Sequence, residues 1–124
     1  MKKRLLLSIV IPTKDREKLL LKSLNYLSKN IFLFNEVIII DSSLKKIDVR
    51  SLKKSYKKMN IKYFTSQPST SMQRNLGLKN ARKKNKFIMF LDDDIRFNND
   101  AFKKMYSFVN SMSNTIVGVG FNSI

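Results

Sequence analysis

The stretch that decides the fold is Glu36-Val37-Ile38-Ile39-Ile40-Asp41, in which four consecutive apolar residues stand between two carboxylates. An apolar run without polar alternation is typical of a strand that is buried on both faces. Strands of parallel sheets have this character, because helices cover both sides of the sheet. The sequence therefore predicts a buried parallel strand at residues 36–41.

Similar apolar runs occur before and after this stretch. They cover residues 5–11, 61–65, 87–91 and 115–121. Between the runs, apolar residues recur at the three- and four-residue spacing of helices that pack on a core. These predicted helices contain Leu20, Leu24, Leu27 and Ile31; Val49, Leu52, Tyr56 and Met59 after Asp48; residues 69–84, with a cap at Ser69–Ser71; and Phe102, Met105, Phe108 and Met112 after a cap at Asn98-Asn99-Asp100.

The order of elements is therefore β-α-β-α-β-α-β-α-β. Regular alternation of this kind predicts an α/β fold, a Rossmann-like three-layer α/β/α arrangement with a mostly parallel sheet and right-handed crossovers. The 124 residues suit a single domain over positions 1–124. No apolar run is long enough to cross about 30 Å of hydrocarbon.

Composition restricts the chemistry. The chain has no cysteine and no histidine, which excludes thiolate zinc sites and the usual general base. A bound metal must then have oxygen ligands, which favours Mg²⁺ or Mn²⁺. The net charge of +16 indicates either attraction to an anionic partner or a solvated lysine-rich surface.

The sharpest signal is the run Asp92-Asp93-Asp94, directly after the predicted fourth strand. Three adjacent carboxylates repel one another, and a divalent cation relieves that repulsion; an acidic turn before the next helix is the alternative. In an extended segment, Asp92 and Asp94 project to one side and Asp93 to the other. Spacing alone does not decide whether Asp92 or Asp94 binds a metal and which of them contacts a ribose.

Two further residues lie where ligands bind in open parallel sheets, close to the carboxyl ends of the strands. Asp41 ends the second strand, where it can accept a hydrogen bond from a ligand or form a turn with Ser42 and Ser43. Arg74 lies early in the third helix, where it can pair with a diphosphate, stack on a base or simply be a surface arginine.

With these residues assembled, the chain resembles the N-terminal, nucleotide-sugar-binding half of the family 2 glycosyltransferases, which have the GT-A fold. Four motifs match in order and cover almost the whole chain. They are Ser8-Ile9-Val10-Ile11-Pro12-Thr13-Lys14-Asp15-Arg16, Val37-Ile38-Ile39-Ile40-Asp41-Ser42-Ser43, Gln73-Arg74-Asn75-Leu76-Gly77, and Lys86-Phe87-Ile88-Met89-Phe90-Leu91-Asp92-Asp93-Asp94.

The resemblance implies a metal-dependent transferase that moves a hexosyl or N-acetylhexosaminyl group from a UDP-sugar to an acceptor hydroxyl. It implies that the first and fourth strands are neighbours, that Pro12, Thr13 and Asp41 border the base, and that Arg74 lies near the base or the diphosphate. The residues assigned to nucleotide-sugar binding are Pro12, Thr13, Arg16, Asp41, Arg74, Asp92 and Asp93. The residues assigned to the metal, Mn²⁺ or Mg²⁺, are Asp94 and Asp92.

The family's acceptor-binding half supplies the catalytic base, which is accordingly expected beyond Ile124. We therefore expect a domain that is incomplete at its C-terminal side and that binds donor but turns it over poorly alone. A non-catalytic nucleotide-sugar-binding fragment remains an alternative. The segment Gln67-Pro68-Ser69-Thr70 also departs from the Asn-x-Gly stretch of the family, so the loop geometry there is expected to differ.

Two rival functions are weaker. A haloacid-dehalogenase-like phosphatase carries Thr or Val where this chain has Arg96. A basic nucleic-acid-binding module suits the charge, but the sequence has no interleaved basic–aromatic patch, and three aspartates repel a phosphate backbone. We expect no nucleic acid partner, an unidentified glycan, lipid-linked or protein acceptor, and a cytoplasmic location in which peripheral contact with the inner face of the membrane is one option.

Overall fold

The computed structural model describes residues 6–94 and 100–112. Its strands are β1 (Leu7–Thr13), β2 (Glu36–Asp41), β3 (Ile61–Thr65) and β4 (Phe87–Phe90). Its α-helices are α1 (Glu17–Ser28), α2 (Val49–Ser55), α3 (Thr70–Asn80) and α4 (Ala101–Ser111), and a 3₁₀ turn covers Ile31–Leu33. The predicted alternation is confirmed from the first strand to the fourth helix. The fifth predicted strand, at residues 115–121, lies outside the described residues, as do Asn98 and Asn99 of the predicted cap.

The four strands form one parallel sheet in the order β3-β2-β1-β4. The chain adds β2 and β3 on one side of β1 and then returns to add β4 on the other side. The expected neighbourhood of the first and fourth strands is confirmed by the pairing of Ile9 with Met89. The strand order thus reverses between β1 and β4, where open α/β sheets bind their ligands.

Helices cover both faces of the sheet, which confirms the three-layer α/β/α architecture. On one face, Ile9 and Ile39 share a core with Leu24 of α1, Leu52 of α2 and Phe102 of α4. On the other face, a smaller core formed by β1 and β2 packs against α3; its members are Val10, Ile38, Ile40 and Leu76. A right-handed crossover requires this change of face, because the chain reverses direction along the sheet between β3 and β4.

Helix α3 lies very close to the sheet at Gly77. A Cβ atom placed on Gly77 would stand 2.3 Å from Cγ1 of Val10, a fully buried residue of β1. Glycine is therefore the residue that fits there without displacement of the core. This close approach brings the first turns of α3, including Gln73 and Arg74, to the carboxyl ends of β1 and β2.

Strand β1 extends to Thr13, two residues beyond the predicted end at Ile11. Proline has no N–H to donate, so it is tolerated in a strand where no ladder bond is needed. Alternate residues of a strand point their backbone groups to the same neighbour, and the Val10 carbonyl accepts from the Leu91 N–H on the β4 side at 2.9 Å. Pro12 therefore faces the β4 side, beyond the last paired residue, Val10.

All four helices end before the last residue of their predicted patterns. Helix α2 ends at Ser55, before Tyr56 and Met59, and α4 ends at Ser111, one residue before Met112. In α1 and α3, side-chain contacts accompany the end of the helix. After α1, the Asn30 amide donates to the Tyr26 carbonyl at 3.1 Å, and Ile31 lies in the 3₁₀ turn. Helix α3 ends at Asn80 instead of near residue 84, because the Arg82 N–H donates to the Glu36 carboxylate at 2.7 Å instead of continuing the helix.

Candidate functional site

The run Asp92-Asp93-Asp94 lies at the carboxyl end of β4, beside the end of β1, and its middle carboxylate is buried. Asp93 accepts a hydrogen bond from the Thr13 hydroxyl at 2.8 Å, and its backbone carbonyl accepts one from Ser23 of α1 at 3.0 Å. The exposed fraction of the side chain is 65% for Asp92, 6% for Asp93 and 51% for Asp94. Asp92 and Asp94 therefore face solvent, whereas Asp93 fastens the run to β1 and α1. Residues 93 and 94 form a turn and not the extended segment assumed for the predicted alternation.

Arg16 reaches the aspartate run from the residue position that precedes α1. Its Nη1 atom lies 3.2 Å from Oδ1 of Asp93 and 3.4 Å from Oδ2 of Asp94. These contacts join the end of β1, through the start of α1, to the end of β4. Arg16 is therefore in direct contact with the aspartates that the sequence assigned to donor and metal.

The turn that precedes Arg16 has an unusual backbone. Asp15 has a φ of 53°, a left-handed conformation that is costly for a residue other than glycine. Two contacts hold the turn: the Asp15 N–H donates to the Ser43 hydroxyl at 2.7 Å, and the Asp15 carboxylate accepts from the Leu44 N–H at 3.1 Å. The loop after β2 thus fixes the direction in which Arg16 leaves β1.

Arg74 approaches the aspartate run from α3, on the other face of the sheet. Its Nη2 atom lies 4.0 Å from Oδ1 of Asp92, and its guanidinium carbon lies 5.8 Å from the centre of the Phe90 ring. A guanidinium at this distance over an aromatic ring gains a cation–π attraction. The Ser69 hydroxyl caps α3 by accepting from the Met72 N–H, so the helix start that carries Arg74 is well defined. Arg16 and Arg74 thus flank the aspartates from opposite faces of the sheet.

Asp41 lies at the end of β2 and is completely buried. Its carboxylate accepts from the Ser43 N–H at 2.8 Å, from the Ser43 hydroxyl and from the Tyr63 hydroxyl. Burial raises the pKa of Asp41, but the hydrogen bonds from Ser43 and Tyr63 outweigh burial and leave the pKa below its usual value. Burial first, and Asp41 second, raise the pKa of the Tyr63 hydroxyl. Asp41 is therefore an ionised acceptor whose partners in this structure are side-chain and backbone donors of the chain.

Gln73 is a buried residue of the site to which the sequence assigned no role. Its side-chain amide donates to the Thr13 carbonyl at 3.1 Å and to the Ile40 carbonyl at 2.9 Å. It thereby ties the carboxyl ends of β1 and β2 together beside the aspartates. The available signal was its position four residues before Gly77, on the face of α3 that meets the sheet.

The structure brings most of the sequence-predicted residues to one edge of the sheet. Thr13 and Arg16 contact the aspartates directly, and Arg74 reaches Asp92. Pro12 is half-buried in β1 next to them.

Asp41 lies at the same edge but two strands away from β4. It is joined to the other residues indirectly, because the Ser43 hydroxyl that contacts it also accepts from the Asp15 N–H in the turn before Arg16. Asp41 and the aspartate run therefore lie at two places along the same edge of the sheet.

The exposed carboxylates fit a metal that arrives together with a phosphate ligand. Within residues 6–94 and 100–112, no group of three or more acidic side chains is arranged to hold a metal ion by itself. Mg²⁺ commonly takes one or two carboxylates and completes its shell with water and substrate phosphates. Asp92 and Asp94 offer oxygen donors of that kind, because both side chains are more than half exposed.

The helices in the part of the chain that the structure describes are all too short or too polar to cross a lipid bilayer.

Comparison with solved structures finds the same fold in S. aureus TarS. The crystal structure of S. aureus TarS 1-349 matches with a TM-score of 0.69 and 25% identity, over 93% of this chain and 38% of that chain. The same protein in complex with UDP-GlcNAc matches with a TM-score of 0.64 and 27% identity, over 84% of this chain and 31% of that chain. Its complex with UDP gives a TM-score of 0.66 and 28% identity, over 84% of this chain and 32% of that chain. The chain thus spans less than two-fifths of the length of these matched structures.

Comparison with curated protein sequences returns no match. The sequence model of glycosyl transferase family 2, in contrast, matches residues 8–124, which is nearly the whole chain. The parallel sheet with flanking helices agrees with the structures found by the structural comparison. The chain therefore belongs to glycosyl transferase family 2.

Proposed function

We propose that the chain binds a UDP-sugar together with Mn²⁺ or Mg²⁺ and forms the donor-binding part of a glycosyltransferase. The observation that carries the proposal is the group formed by Thr13, Arg16, Arg74 and the three aspartates where the strand order reverses. Family membership and the UDP and UDP-GlcNAc complexes of TarS support the choice of ligand.

The two arginines suit the diphosphate of such a donor. Arginine binds phosphate through a planar fork of donors, and the ionised partner makes these hydrogen bonds shorter and stronger than neutral ones. Arg16 and Arg74 are both about half exposed, and each lies beside an aspartate of the same run. A diphosphate between them meets positive charge on two sides.

The aspartates have different parts in this proposal. Asp92 and Asp94 are the exposed carboxylates that would hold the divalent ion and the ribose. The ion would offset the negative charge that develops on the departing nucleoside diphosphate. Asp93 keeps the run in position through Thr13 and Ser23, because its own carboxylate is turned inwards.

The part of this sheet edge around Asp41 is assigned to the nucleobase. Asp41 is ionised and fixed there by Ser43, and Pro12 lies between it and the aspartate run. If a base displaces the Ser43 or Tyr63 hydroxyl, this carboxylate can accept a hydrogen bond from an N–H of the base, such as the N3–H of uracil.

The acceptor belongs to the same proposal as an extension. The 25 lysines and arginines outnumber the 9 acidic residues, and those on and after α2, such as Lys53, Lys54 and Lys57, are exposed. Such a surface favours an acceptor held at an anionic membrane, with transfer at its inner face. Cosedimentation with phosphatidylglycerol vesicles, compared with phosphatidylcholine vesicles, tests this extension; equal recovery with both argues against it.

Calorimetric titration of UDP into the purified chain tests the donor site. Binding is the appropriate property, because the chain spans at most 38% of the TarS structure that it resembles. We expect Mn²⁺-dependent binding that EDTA abolishes and that Asp94→Asn weakens at least about tenfold, which corresponds to about 1.4 kcal/mol. Asp100→Asn is the matched control, because Asp100 is exposed and its side chain makes no capping hydrogen bond.

Each departure from this result has a defined meaning. UDP binding that is indifferent to EDTA and to Asp94→Asn contradicts the metal site. A folded chain that does not bind UDP with Mn²⁺ contradicts the donor site. Tight and steeply salt-dependent binding to random RNA or DNA in its place supports the nucleic-acid-binding alternative.

A further inference from the structure

Arg16 makes only part of the contacts that its guanidinium allows. A single nitrogen, Nη1, donates to both Asp93 and Asp94, at 3.2 and 3.4 Å. Within the described residues, Nη2 and Nε of Arg16 donate no hydrogen bond. The side chain is 53% exposed, so a ligand at the carboxyl ends of β1 and β4 can reach it.

The two carboxylates that Arg16 contacts are held very differently. Asp93 is buried and fixed by the Thr13 hydroxyl and through its backbone by Ser23. Asp94 is half exposed, and Arg16 is its ion-pair partner among the described residues. The contact with Asp94 is therefore the one that can be exchanged, while the contact with Asp93 keeps the guanidinium close by.

A divalent ion on Asp94 and the guanidinium of Arg16 are competing cations. Both are attracted to the same carboxylate, and they repel each other when they share it. In the free chain, Arg16 already neutralises part of the charge that would attract the ion. A diphosphate reverses this relation, because the accessible donors of Arg16 can bind its oxygens and release Asp94.

We infer that Arg16 is a built-in counter-cation that couples the binding of metal to the binding of nucleoside diphosphate. The inference rests on the proposed function and deepens it. Without nucleotide, Arg16 occupies Asp94 and keeps the affinity for the divalent ion low. When nucleotide binds, Arg16 turns to the diphosphate while Asp93 retains it, and Asp94 becomes available to the ion.

Binding equilibria of Mn²⁺ measure this coupling directly. The free-ion signal in electron paramagnetic resonance gives the Mn²⁺ dissociation constant for wild type, Arg16→Gln and Arg16→Lys, each with and without UDP. For each protein, the coupling factor is the Mn²⁺ dissociation constant without UDP divided by the constant with UDP, as thermodynamic linkage defines it. Lys14→Gln is the matched control: it removes one exposed positive charge two positions away and leaves Arg16 intact.

We expect Arg16→Gln to bind Mn²⁺ about two- to fivefold more tightly than wild type in the absence of UDP, the range set by a partly exposed ion pair. The coupling factor should also fall at least about two- to fivefold, because UDP no longer has to draw Arg16 away from Asp94 before Mn²⁺ can bind there. Arg16→Lys, which keeps the charge but loses the fork, should retain the weak binding of metal alone and lose part of the coupling. Lys14→Gln should leave the coupling factor unchanged.

Two results overturn the inference and remain distinct from failure of the donor site. Equal or weaker Mn²⁺ binding by Arg16→Gln without UDP contradicts the competition. An unchanged coupling factor contradicts the exchange of partners. Wild type that fails to bind Mn²⁺ even with UDP contradicts the proposed function itself, and the inference with it.

Discussion

Both ends of the sheet carry carboxylates that pair with cations, but the pairs differ in burial and in distance. At the amino end, Glu36 is completely buried, its Oε1 lies 2.7 Å from the Lys62 ammonium, and its Oε2 accepts from the Arg82 N–H at 2.7 Å. At the carboxyl end, Asp92 and Asp94 are at least half exposed, and their guanidinium partners lie at 4.0 and 3.4 Å. A buried carboxylate with short contacts stabilises the fold, whereas an exposed one with longer contacts can exchange its partner for a ligand.

Removal of the cation at the amino end should have the largest effect on stability. Lys62→Met leaves Glu36 buried without its charged partner, which costs about 3 kcal/mol when one side of a buried pair is lost. Urea denaturation measures this against Lys58→Met, a change of an exposed lysine that should cost under about 0.5 kcal/mol. The UDP affinity of folded Lys62→Met should stay at the wild-type value; a loss would mean that the two ends are not separate.

Gln73 should have the next largest effect and should affect both properties. Gln73→Leu removes the donors to the Thr13 and Ile40 carbonyls. The Thr13 carbonyl keeps the Ser42 N–H at 3.0 Å, so we expect the loss of two buried hydrogen bonds to cost about 1 kcal/mol. Because these bonds align β1 and β2 at the site, UDP affinity should fall as well. The exposed neighbour Asn75, changed to Leu, is the control. Loss of stability with unchanged UDP affinity would limit Gln73 to the fold.

Acid should act on the amino end through Glu36. Burial raises the pKa of Glu36, but hydrogen bonds from Arg82, Lys62 and Ser8 outweigh burial and leave the pKa below 4.5. The unfolded chain then binds the proton more tightly, so this contribution is full above pH 4.5 and is lost as the pH falls through the folded pKa. Urea denaturation between about pH 7 and 3 should show this loss. In Glu36→Gln, the free energy of unfolding at neutral pH should be lower, and it should decline less steeply as the pH falls. An equally steep decline would mean that other groups cause the acid sensitivity, and Asp41 would be the first of them to test.

The strands, the helices and the edge that carries the site could be predicted because each has a local signal. The run around Ile39 indicates a strand by itself. Three adjacent aspartates indicate a site where a cation can offset their mutual repulsion. Polar networks have no such signal. Glu36 is joined to Ser8, Lys62 and Asn85 only after the chain has folded, and periodicity gives no information about contacts between residues far apart in sequence.

The same limit explains why Gln73 received no role from the sequence. It is polar but faces the sheet, since Gly77 lets α3 approach closely enough for the Gln73 amide to reach two backbone carbonyls. The contact of Tyr63 with Asp41 was hidden in a similar way, because it depends on the register of β3 against β2. Register is a property of the folded sheet, and the short apolar runs do not specify it.

The aspartate run shows which side-chain positions can be predicted from alternation along a strand and which cannot. Alternation separated Asp93 from Asp92 and Asp94 but did not show which of them is buried; in the structure Asp93 is the buried one. The position of Arg16 between Asp93 and Asp94 was not accessible, because it requires the left-handed turn at Asp15. Aspartate adopts such a turn more readily than most non-glycine residues, but the residue type alone does not show which aspartate adopts it.

Arg74 should have the smallest effect on stability and thus gives the sharpest contrast with Lys62. It is half exposed and 4.0 Å from Asp92, and ion pairs of this kind contribute about 0.2–1 kcal/mol at most. Arg74→Gln should therefore change the free energy of unfolding by less than about 0.5 kcal/mol and yet weaken UDP binding about tenfold, because charge-assisted contacts with a phosphate are stronger than neutral ones. Arg82→Gln, at an exposed arginine of the amino end, is the control and should leave UDP binding unchanged. If both arginine variants weaken UDP binding equally, the effect comes from total charge. The diphosphate is then not bound specifically by Arg74 at the carboxyl end of the sheet.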